Sequence, residues 1–575
     1  MSDTVSSYDA KAAIWAARFE TVPADAVHSA LVPFIPRGSD LIALDVGAGS
    51  GRDAAWLASI GYDVVAVEPA AGMRVEGQRR HPDPRIRWLE DRLPDLTGVN
   101  RLGLAFDLIM LSAVWMHVPP PVRARAFRKL TTLLKPGGTM LMSLRDGPPD
   151  PDRPMWATPP GEIEAFARAH GLAVLRSVDT PDQLGRPDLH WTSMCLRLPD
   201  DGAGALPLLR GVILNDEKSS TYKLALLRAI ARVADATPAL AVSNLEKDTV
   251  DLPLGVVALN WVRMYLPLVG AGLPQMPGNS GPDGLSFAKA GFRQLLALNI
   301  TGQDLRIGSR FTGERAAALA RALAEARRTI ADMPANYIRY PNSDAKVFGA
   351  AVAPPPRTMP VLTLDREVLG QFGSLTVPGQ VWRTLQRLGS WVEPVLVNEW
   401  ARLVRAYGER MGRMIRLGEV ETVLAWLDPA RDTQLARLAA KRALDQGWQL
   451  RCVWTGARLG PGMLDIDHCL PWSAWPCGDL WNLLPASPRV NQHLKRDRLP
   501  SASALAGARE NIIAWWENAW LPDPALRARF EQETVAALPV TTGATTDDVF
   551  AGVEWRRLRL RQDQQVQEWA GVQRF

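Results

Sequence analysis

Cysteine is scarce, with four in 575 residues, too few for a disulfide scaffold and suited to a reducing cytosol. Histidine is nearly as scarce, at seven. Of the 66 basic residues only ten are lysine, which leaves 56 arginines. That bias is the mark of a GC-rich genome before it is a sign of phosphate contacts. The net charge of +5, with a pI of about 9.1, permits a nucleic-acid partner without arguing for one. No apolar leader opens the chain: Met1 to Ala10 is polar, so no secretory signal is expected. One run, Leu252 to Pro274, is apolar enough to test as a membrane span. Pro253, Asn260, Arg263 and Pro267 interrupt it, and it reads as a buried helix pair. No membrane partner and a cytoplasmic location are the expectations.

What is present is globular usage, 47% hydrophobic and 22% charged, on a chain too long for one core. From Asp40 to Pro199, buried-strand runs (Leu41–Val46, Val64–Val67, Phe106–Leu111, Thr139–Leu144) alternate with helical stretches such as Arg52–Ser59 and Val122–Leu134. Strands separated by helices imply a parallel, doubly wound sheet, which Leu189–Leu198 would close as a late strand. Asp200 to Gly204 reads as a linker. Helical patterns then dominate at Leu224–Ala234, Glu314–Met333, Trp382–Arg410 and Thr433–Asp445, joined by irregular loops at Gly270–Gly284 and Val352–Pro360. No repeat of fixed period occurs. A small β-rich unit follows near Leu450–Pro500, and a helical tail ends the chain. The expected fold class is therefore multidomain: an N-terminal α/β Rossmann-like domain (1–200), a mostly helical middle (201–444), a small ββα unit (445–505) and a helical tail (506–575).

The first motif is LIALDVGAGSG, a strand running into glycines 47, 49 and 51 and then a helix. Glycines let the backbone turn sharply and approach a ligand without a Cβ clash. Asp45 stands where a carboxylate could accept from a ligand ammonium group. Glu68 ends the next strand, the place of an acid that holds a ribose diol. The G-x-G-x-G spacing differs from the G-x-G-x-x-G of dinucleotide folds. With Glu90-Asp91, FDLIMLSAVWMH and LKPGGTMLMS, the pattern resembles class I S-adenosylmethionine-dependent methyltransferases over roughly residues 20–199. The resemblance implies that Asp45, Gly47, Gly49, Gly51 and Glu68 hold the cofactor and that Asp91 lies near its adenine. Ser112-Ala113-Val114-Trp115 replaces the Pro-Pro-aromatic signature of amino-methylating DNA enzymes. Cys195 sits in the late strand, as a core thiol rather than a C5-methylation nucleophile. The fourth strand looks more like the subgroup acting on small molecules or RNA. His117 reads either as a base or substrate contact or as a partly exposed loop histidine.

The second motif is LDIDHCLPWSAWPCGDLWNLLPASPRVNQHLKRDRLP, which contains two of the seven histidines. An acid beside a histidine at a strand end suits a one-metal phosphodiesterase: the carboxylate holds Mg²⁺ and the imidazole deprotonates water. The competing reading is structural zinc on Cys452, Cys469, Cys477 and a histidine, which the lack of any C-x₂-C pair disfavours. With the lead-in Arg451-Cys452-Val453-Trp454-Thr455-Gly456, the segment resembles the HNH (ββα-metal) endonucleases, closest to the version in CRISPR effector nucleases. The resemblance makes Asp467 a metal ligand, His468 the general base, Asn482 a brace for the His468 loop and Asn491 the second ligand, with Mg²⁺ or Mn²⁺ as the metal. Lys495 or Arg496 would contact phosphate. Lys495 follows Asn491 by four where the family often has three, which leaves open whether Asn491 or His493 faces the metal.

Two further features read as structural. Asn215–Thr221 is an N-cap with early acids, and Arg556, Arg557, Arg559 and Arg561 form a solvated helix face rather than a phosphate track. The domain company points to a two-activity enzyme of bacterial defence that cuts nucleic acid, DNA before RNA. The alternatives are a nuclease gated by a cofactor-sensing domain, and a small-molecule or RNA methyltransferase with a degenerate HNH module.

Overall fold

In a computed structural model of the chain, residues 2–38, 41–148, 153–244, 246–278, 285–354, 360–425 and 431–572 are described. Parts of the loops read at Gly270–Gly284 and Val352–Pro360 fall outside them. Two compact units emerge: Met1–Ala205 with Tyr340–Asp344, and Leu206–Arg339 with Ala345–Phe575.

The first unit is built on seven strands: β1 (Ile42–Val46), β2 (Asp63–Val67), β3 (Ile86–Leu89), β4 (Phe106–Leu111), β5 (Leu134–Asp146), β6 (Ala173–Pro181) and β7 (His190–Arg197). Their order is β3-β2-β1-β4-β5-β7-β6. The first five run parallel, and β7 pairs antiparallel with both β5 and β6. Alternate side chains serve opposite faces. Leu44, Val65, Ile109 and Met140 enter one core cluster, while Ala43, Val64, Leu108 and Leu141 enter the other. Burial on both faces is why these strands read as unbroken apolar runs. The late strand does not close the sheet as expected. β6 forms the edge beyond it, and its residues are exposed or half-exposed rather than buried, so it shows no buried apolar run. The strand order reverses beside β1, so the crevice beyond the ends of β1 and β4 is the natural ligand site.

In the second unit, helices Tyr222–Ala236, Leu254–Gly270, Gly313–Asp332 and Gly379–Arg410 carry the middle region. They are joined by strands the helical reading missed: β8 (Val242–Asn244), β9 (Thr249–Pro253), β10 (Arg310–Thr312), β11 (Gly349–Val352), β12 (Val361–Thr363) and β13 (Gly373–Pro378). Four of these form an antiparallel sheet in the order β11-β13-β9-β8, and β10 pairs with β12. The run Leu252–Pro274 is not a helix pair. It is the end of β9 followed by one helix that carries Pro267 in its last turn. Among the described residues, no helix is long and apolar enough to cross a membrane. Thr221 does not cap its helix either. Its buried hydroxyl is 2.8 Å from the Tyr265 hydroxyl and donates to Gln275 Oε1 at 3.0 Å, so core polar satisfaction outcompetes capping.

Farther on, β14 (Asp465–His468) and β15 (Leu483–Ala486) make an antiparallel hairpin, followed by a π-turn at Arg489–Lys495. The tail helices Ala502–Ala519, Pro524–Ala537 and Thr546–Gln564 share one apolar core with this hairpin. The Trp515 indole donates to the Leu483 carbonyl (2.8 Å) and the Trp516 indole to that of Trp481 (3.1 Å). Each bond satisfies a buried backbone acceptor next to the hairpin. The tail arginines are not a uniformly solvated face: Arg556 and Arg557 are buried. The Arg556 guanidinium lies 3.8 Å from the Trp475 ring centroid, and Arg557 donates to the Pro500 carbonyl at 2.5 Å.

Candidate functional site

Two constellations stand out, one in each unit. In the first, β1 ends at Val46, and Gly47 (φ +71°), Gly49 (φ +56°) and Gly51 (φ +85°) turn the chain into helix Arg52–Ser59. A Cβ on Gly47 would come within 2.6 Å of Val114 Cγ2, and one on Gly51 within 2.9 Å of Trp88. Only glycine fits these positions. A cavity of about 270 Å³ opens here, lined by Gly47, Gly49, Glu68 and Asp91. Glu68 Oε2 accepts from the Gly49 N–H and Oε1 from that of Ala70, both at 2.9 Å. A carboxylate has about four acceptor positions, so capacity remains for a diol. Burial pushes the Glu68 carboxyl up from its ordinary value. Asp91 accepts from the Arg92 and Val99 N–H groups at 2.8 and 2.9 Å, which fixes the turn after β3.

Two expected cofactor contacts are not among the residues that line this cavity. Gly51 is off the cavity wall, packed against Trp88 as the residue before the helix. Asp45 is also off the wall and 1% exposed, with Oδ2 lacking a hydrogen-bond partner. Burial, and then neighbouring Asp53, hold the Asp45 carboxyl well above the usual range. Burial would raise Asp53 too, but His28 and Arg52 outweigh it and keep Asp53 well below that range.

The far wall contains residues the sequence did not mark. The Tyr8 hydroxyl lies 3.3 Å from His117 Nε2, and His117 Nδ1 lies 3.2 Å from the Pro154 carbonyl. A carbonyl can only accept, so Nδ1 carries the proton and Nε2 accepts from Tyr8. Arg153 donates to the Tyr8 oxygen at 2.7 Å, and its guanidinium sits 4.4 Å from the Trp15 ring centroid. Tyr8, Trp15 and Arg153 carry no motif. Only the fold brings the N-terminal helices Ser2–Ala10 and Ala12–Phe19 to this cavity.

In the second unit, Asp467 and His468 end β14. Asp467 is buried. Its carboxylate accepts from the Trp454 indole at 2.7 Å and from Lys495 Nζ at 3.2 Å (Oδ1) and 3.1 Å (Oδ2). Lys495 also donates to the His468 carbonyl at 2.7 Å and is 0% exposed. Lys495 is thus not presented for phosphate contact, whereas Arg496 is exposed. The His468 ring is buried edge-on to Trp472, with both nitrogens free of hydrogen bonds. Burial, then the charges of Arg431 and Lys495, bring its pKa down to about 3, so the imidazole is neutral at physiological pH. Asn482 is fully buried. Its side chain accepts from the Leu470 N–H (2.8 Å) and donates to the Cys477 (2.9 Å) and Leu470 (3.3 Å) carbonyls, tying together the loop after His468.

Asn491 donates its amide N–H to Asp465 Oδ2 at 2.8 Å and to the Ile466 carbonyl at 3.3 Å, which places it against β14. His493, two residues on, is exposed. The reason lies in the backbone. The Arg496 N–H bonds to the Asn491 carbonyl, an i→i+5 link at 3.0 Å. The wider π winding absorbs the extra residue between Asn491 and Lys495 and keeps both against the strand. The thiols of Cys452, Cys469 and Cys477 are unpaired and buried, and burial pushes Cys469 up to about 12. Among the described residues, no group of three His, Cys, Asp or Glu side chains is placed to hold a metal. The oxygen that could meet a hard cation here is the buried Asp467 carboxylate, beside the unpartnered His468 ring, with Asn491 held nearby against β14 through Asp465 and the Ile466 carbonyl.

Three family models match the chain: one described as a methyltransferase domain over residues 43–138, one as a domain of unknown function (DUF8808) over 202–424, and one as an HNH endonuclease over 452–501. A demethylmenaquinone methyltransferase of Beutenbergia cavernae is 33% identical over 107 residues, 18% of this chain and 41% of that protein. One from Renibacterium salmoninarum is 32% identical over 100 residues, 17% and 39% respectively. The chain thus spans about two-fifths of the length of these curated relatives. Among solved structures, the 1,6-didemethyltoxoflavin-N1-methyltransferase of Burkholderia thailandensis is 25% identical and covers 35% of this chain and 87% of its own, with a TM-score of 0.29.

Proposed function

Because this chain carries a methyltransferase domain and an HNH endonuclease domain, we propose that it is a two-activity enzyme. In this reading it hydrolyses nucleic acid, DNA before RNA, and transfers a methyl group from S-adenosylmethionine. The single observation that carries the nuclease half is the buried His468 imidazole, with no hydrogen bond to either nitrogen, directly after Asp467. A ring nitrogen left free in this way can accept a proton from the attacking water, and Asn482 holds its loop in place. A divalent cation, when bound, offsets charge that develops on the phosphate and the leaving oxygen. Asp467 and Asn491 are the residues that would hold it. Arg451, Arg458, Arg489 and Arg496 are exposed on the same small unit and suit a phosphate backbone.

The methyl-transfer half is supported by the glycine cradle with Glu68, and by a cavity that continues beyond them. Tyr8, Trp15 and Trp191 line its far wall together with Arg153 and His117. A partly open, aromatic-lined space of this kind suits an acceptor with a flat ring, and the curated relatives are named as demethylmenaquinone methyltransferases. A small-molecule acceptor therefore fits this half better than a nucleic-acid one. When bound, the cofactor supplies the methyl group; Glu68 holds and orients it, and His117 with Tyr8 provides a route for the acceptor's proton. A defence role against foreign DNA, in the cytoplasm, is the setting in which such a pair of activities makes sense.

The test is incubation of the full chain with plasmid DNA and structured RNA in Mg²⁺, with and without S-adenosylmethionine, beside His468→Ala and Glu68→Gln. Labelled cofactor would be offered in parallel to DNA, RNA and a low-molecular-weight cell extract. Cutting that His468→Ala abolishes, with label entering the small-molecule fraction, is the expected result. Intact nucleic acid under every condition would overturn the nuclease half. Absence of label from all three pools would turn the first unit into a sensor.

A further inference from the structure

We propose that Lys495 is an internal place-holder for the metal: its ammonium occupies the cation position at Asp467, and a divalent ion binds only by displacing it. This rests on the nuclease reading above. The Lys495 ammonium touches both Asp467 oxygens, at 3.2 and 3.1 Å, and the His468 carbonyl at 2.7 Å. Those are oxygen ligands a hard cation would seek. The Trp454 ring, 5.4 Å away, completes the pocket around the charge. Neighbouring Asp465 is already served by Arg437 at 2.6 Å and by Asn491 and Gln492, so it does not hold the lysine.

Stability alone is a poor reason for such a pair. Burying two opposite charges roughly breaks even against an apolar replacement, because desolvation cancels their attraction. The gain lies in what the pair prevents. With Lys495 in place the site is neutral and closed, and a second cation meets a carboxylate whose charge is already matched.

The backbone supplies the means of release. Lys495 ends the π-turn Arg489–Lys495, and Arg496 behind it takes a left-handed φ of +56°, a conformation that costs a non-glycine residue energy. Rewinding this turn to α-helical i→i+4 bonds would drop one residue of slack. That draws Lys495 off Asp467 while Asn491, anchored to Asp465 and the Ile466 carbonyl, stays beside β14. A nucleic-acid phosphate would stabilise the withdrawn ammonium. Metal and nucleic acid therefore bind with positive coupling, and the uncomplexed protein is held off.

The test is titration of the full chain with Mn²⁺ alone, following free Mn²⁺ by electron paramagnetic resonance. Wild type would be compared with Lys495→Met, Lys495→Gln and the double variant Lys495→Met/Asp467→Asn. Expected is one Mn²⁺ bound at least tenfold more tightly by Lys495→Met and Lys495→Gln than by wild type, and loss of that site in the double variant. Thermal unfolding gives a second readout: Mn²⁺ raises the midpoint of the two single variants more than that of wild type. Equal affinity in wild type and the folded single variants overturns the proposal. So does a tight site that survives Asp467→Asn, or failure of both single variants to fold, which would make the pair structural. Cleavage with equal metal affinities would refute this proposal alone. Tightened metal binding without cleavage in any variant would refute the nuclease reading and leave the displaced cation standing.

Discussion

Replacing Asn482 by alanine tests how the loop after His468 is held. The side chain makes three hydrogen bonds, at 2.8 Å from the Leu470 N–H, 2.9 Å to the Cys477 carbonyl and 3.3 Å to the Leu470 carbonyl. At about 1 kcal/mol each, their loss costs about 3 kcal/mol. Asn482 is 0% exposed, so water cannot readily replace them, and the stranded backbone groups bring the total to about 3–5 kcal/mol. Asn482→Asp should cost more at neutral pH, because it turns a carboxylate oxygen toward two carbonyls. The assay is urea unfolding of the full chain followed by tryptophan fluorescence. Six tryptophans, 475, 481, 515, 516, 520 and 569, sit in the core that contains Asn482's neighbours. The midpoint of that unit's transition should fall at constant slope, leaving the transition of Met1–Ala205 in place. A loss below about 1 kcal/mol would refute the idea that this side chain braces the loop.

Three other outcomes are expected. Glu533 accepts from the Leu480 N–H at 2.7 Å, and burial beside Asp479 lifts its pKa to about 7. A carboxyl held above its ordinary value stabilises the fold below pH 4.5 and loses that contribution as pH rises toward 7, so Glu533→Gln should flatten that stretch of the stability profile in pH-dependent urea unfolding. Gly47→Ala should destabilise the first unit by about 2–4 kcal/mol, through its positive φ and its 2.6 Å approach to Val114, with calorimetric binding of S-adenosylhomocysteine lost. Glu68→Gln should leave the fold intact, since its amide oxygen can still accept from Gly49 or Ala70, yet weaken that binding by about ten- to a hundredfold through the lost ionic acceptor.

The strands of the first unit were legible because both faces are buried: Phe106–Leu111 was read with its observed bounds, as was helix Arg52–Ser59. The edge strand Ala173–Pro181 was not, since a solvent-facing strand needs no apolar run. The short strands of the middle region were hidden for a related reason: three to six residues are too few to establish a period.

Residue chemistry and spacing marked the glycine loop, Glu68, Asp467, His468 and Asn482, because each must be a particular residue type at a fixed distance along one local turn. What depends on chain segments far apart was decided by the tertiary structure. Tyr8 and His117 are 109 positions apart, and the register of two N-terminal helices against the sheet brings them together. The buried position of Lys495 follows from a π-turn that no periodicity announces, and its partner Asp467 lies 28 residues away. Arg556 and Arg557 turn inward where a tryptophan ring and a backbone carbonyl meet them, while Arg561 stays exposed. A sequence determines which groups can do chemistry. Packing decides which of them face a cavity, a charge or one another, since burial and pairing are properties of surroundings assembled from the whole chain.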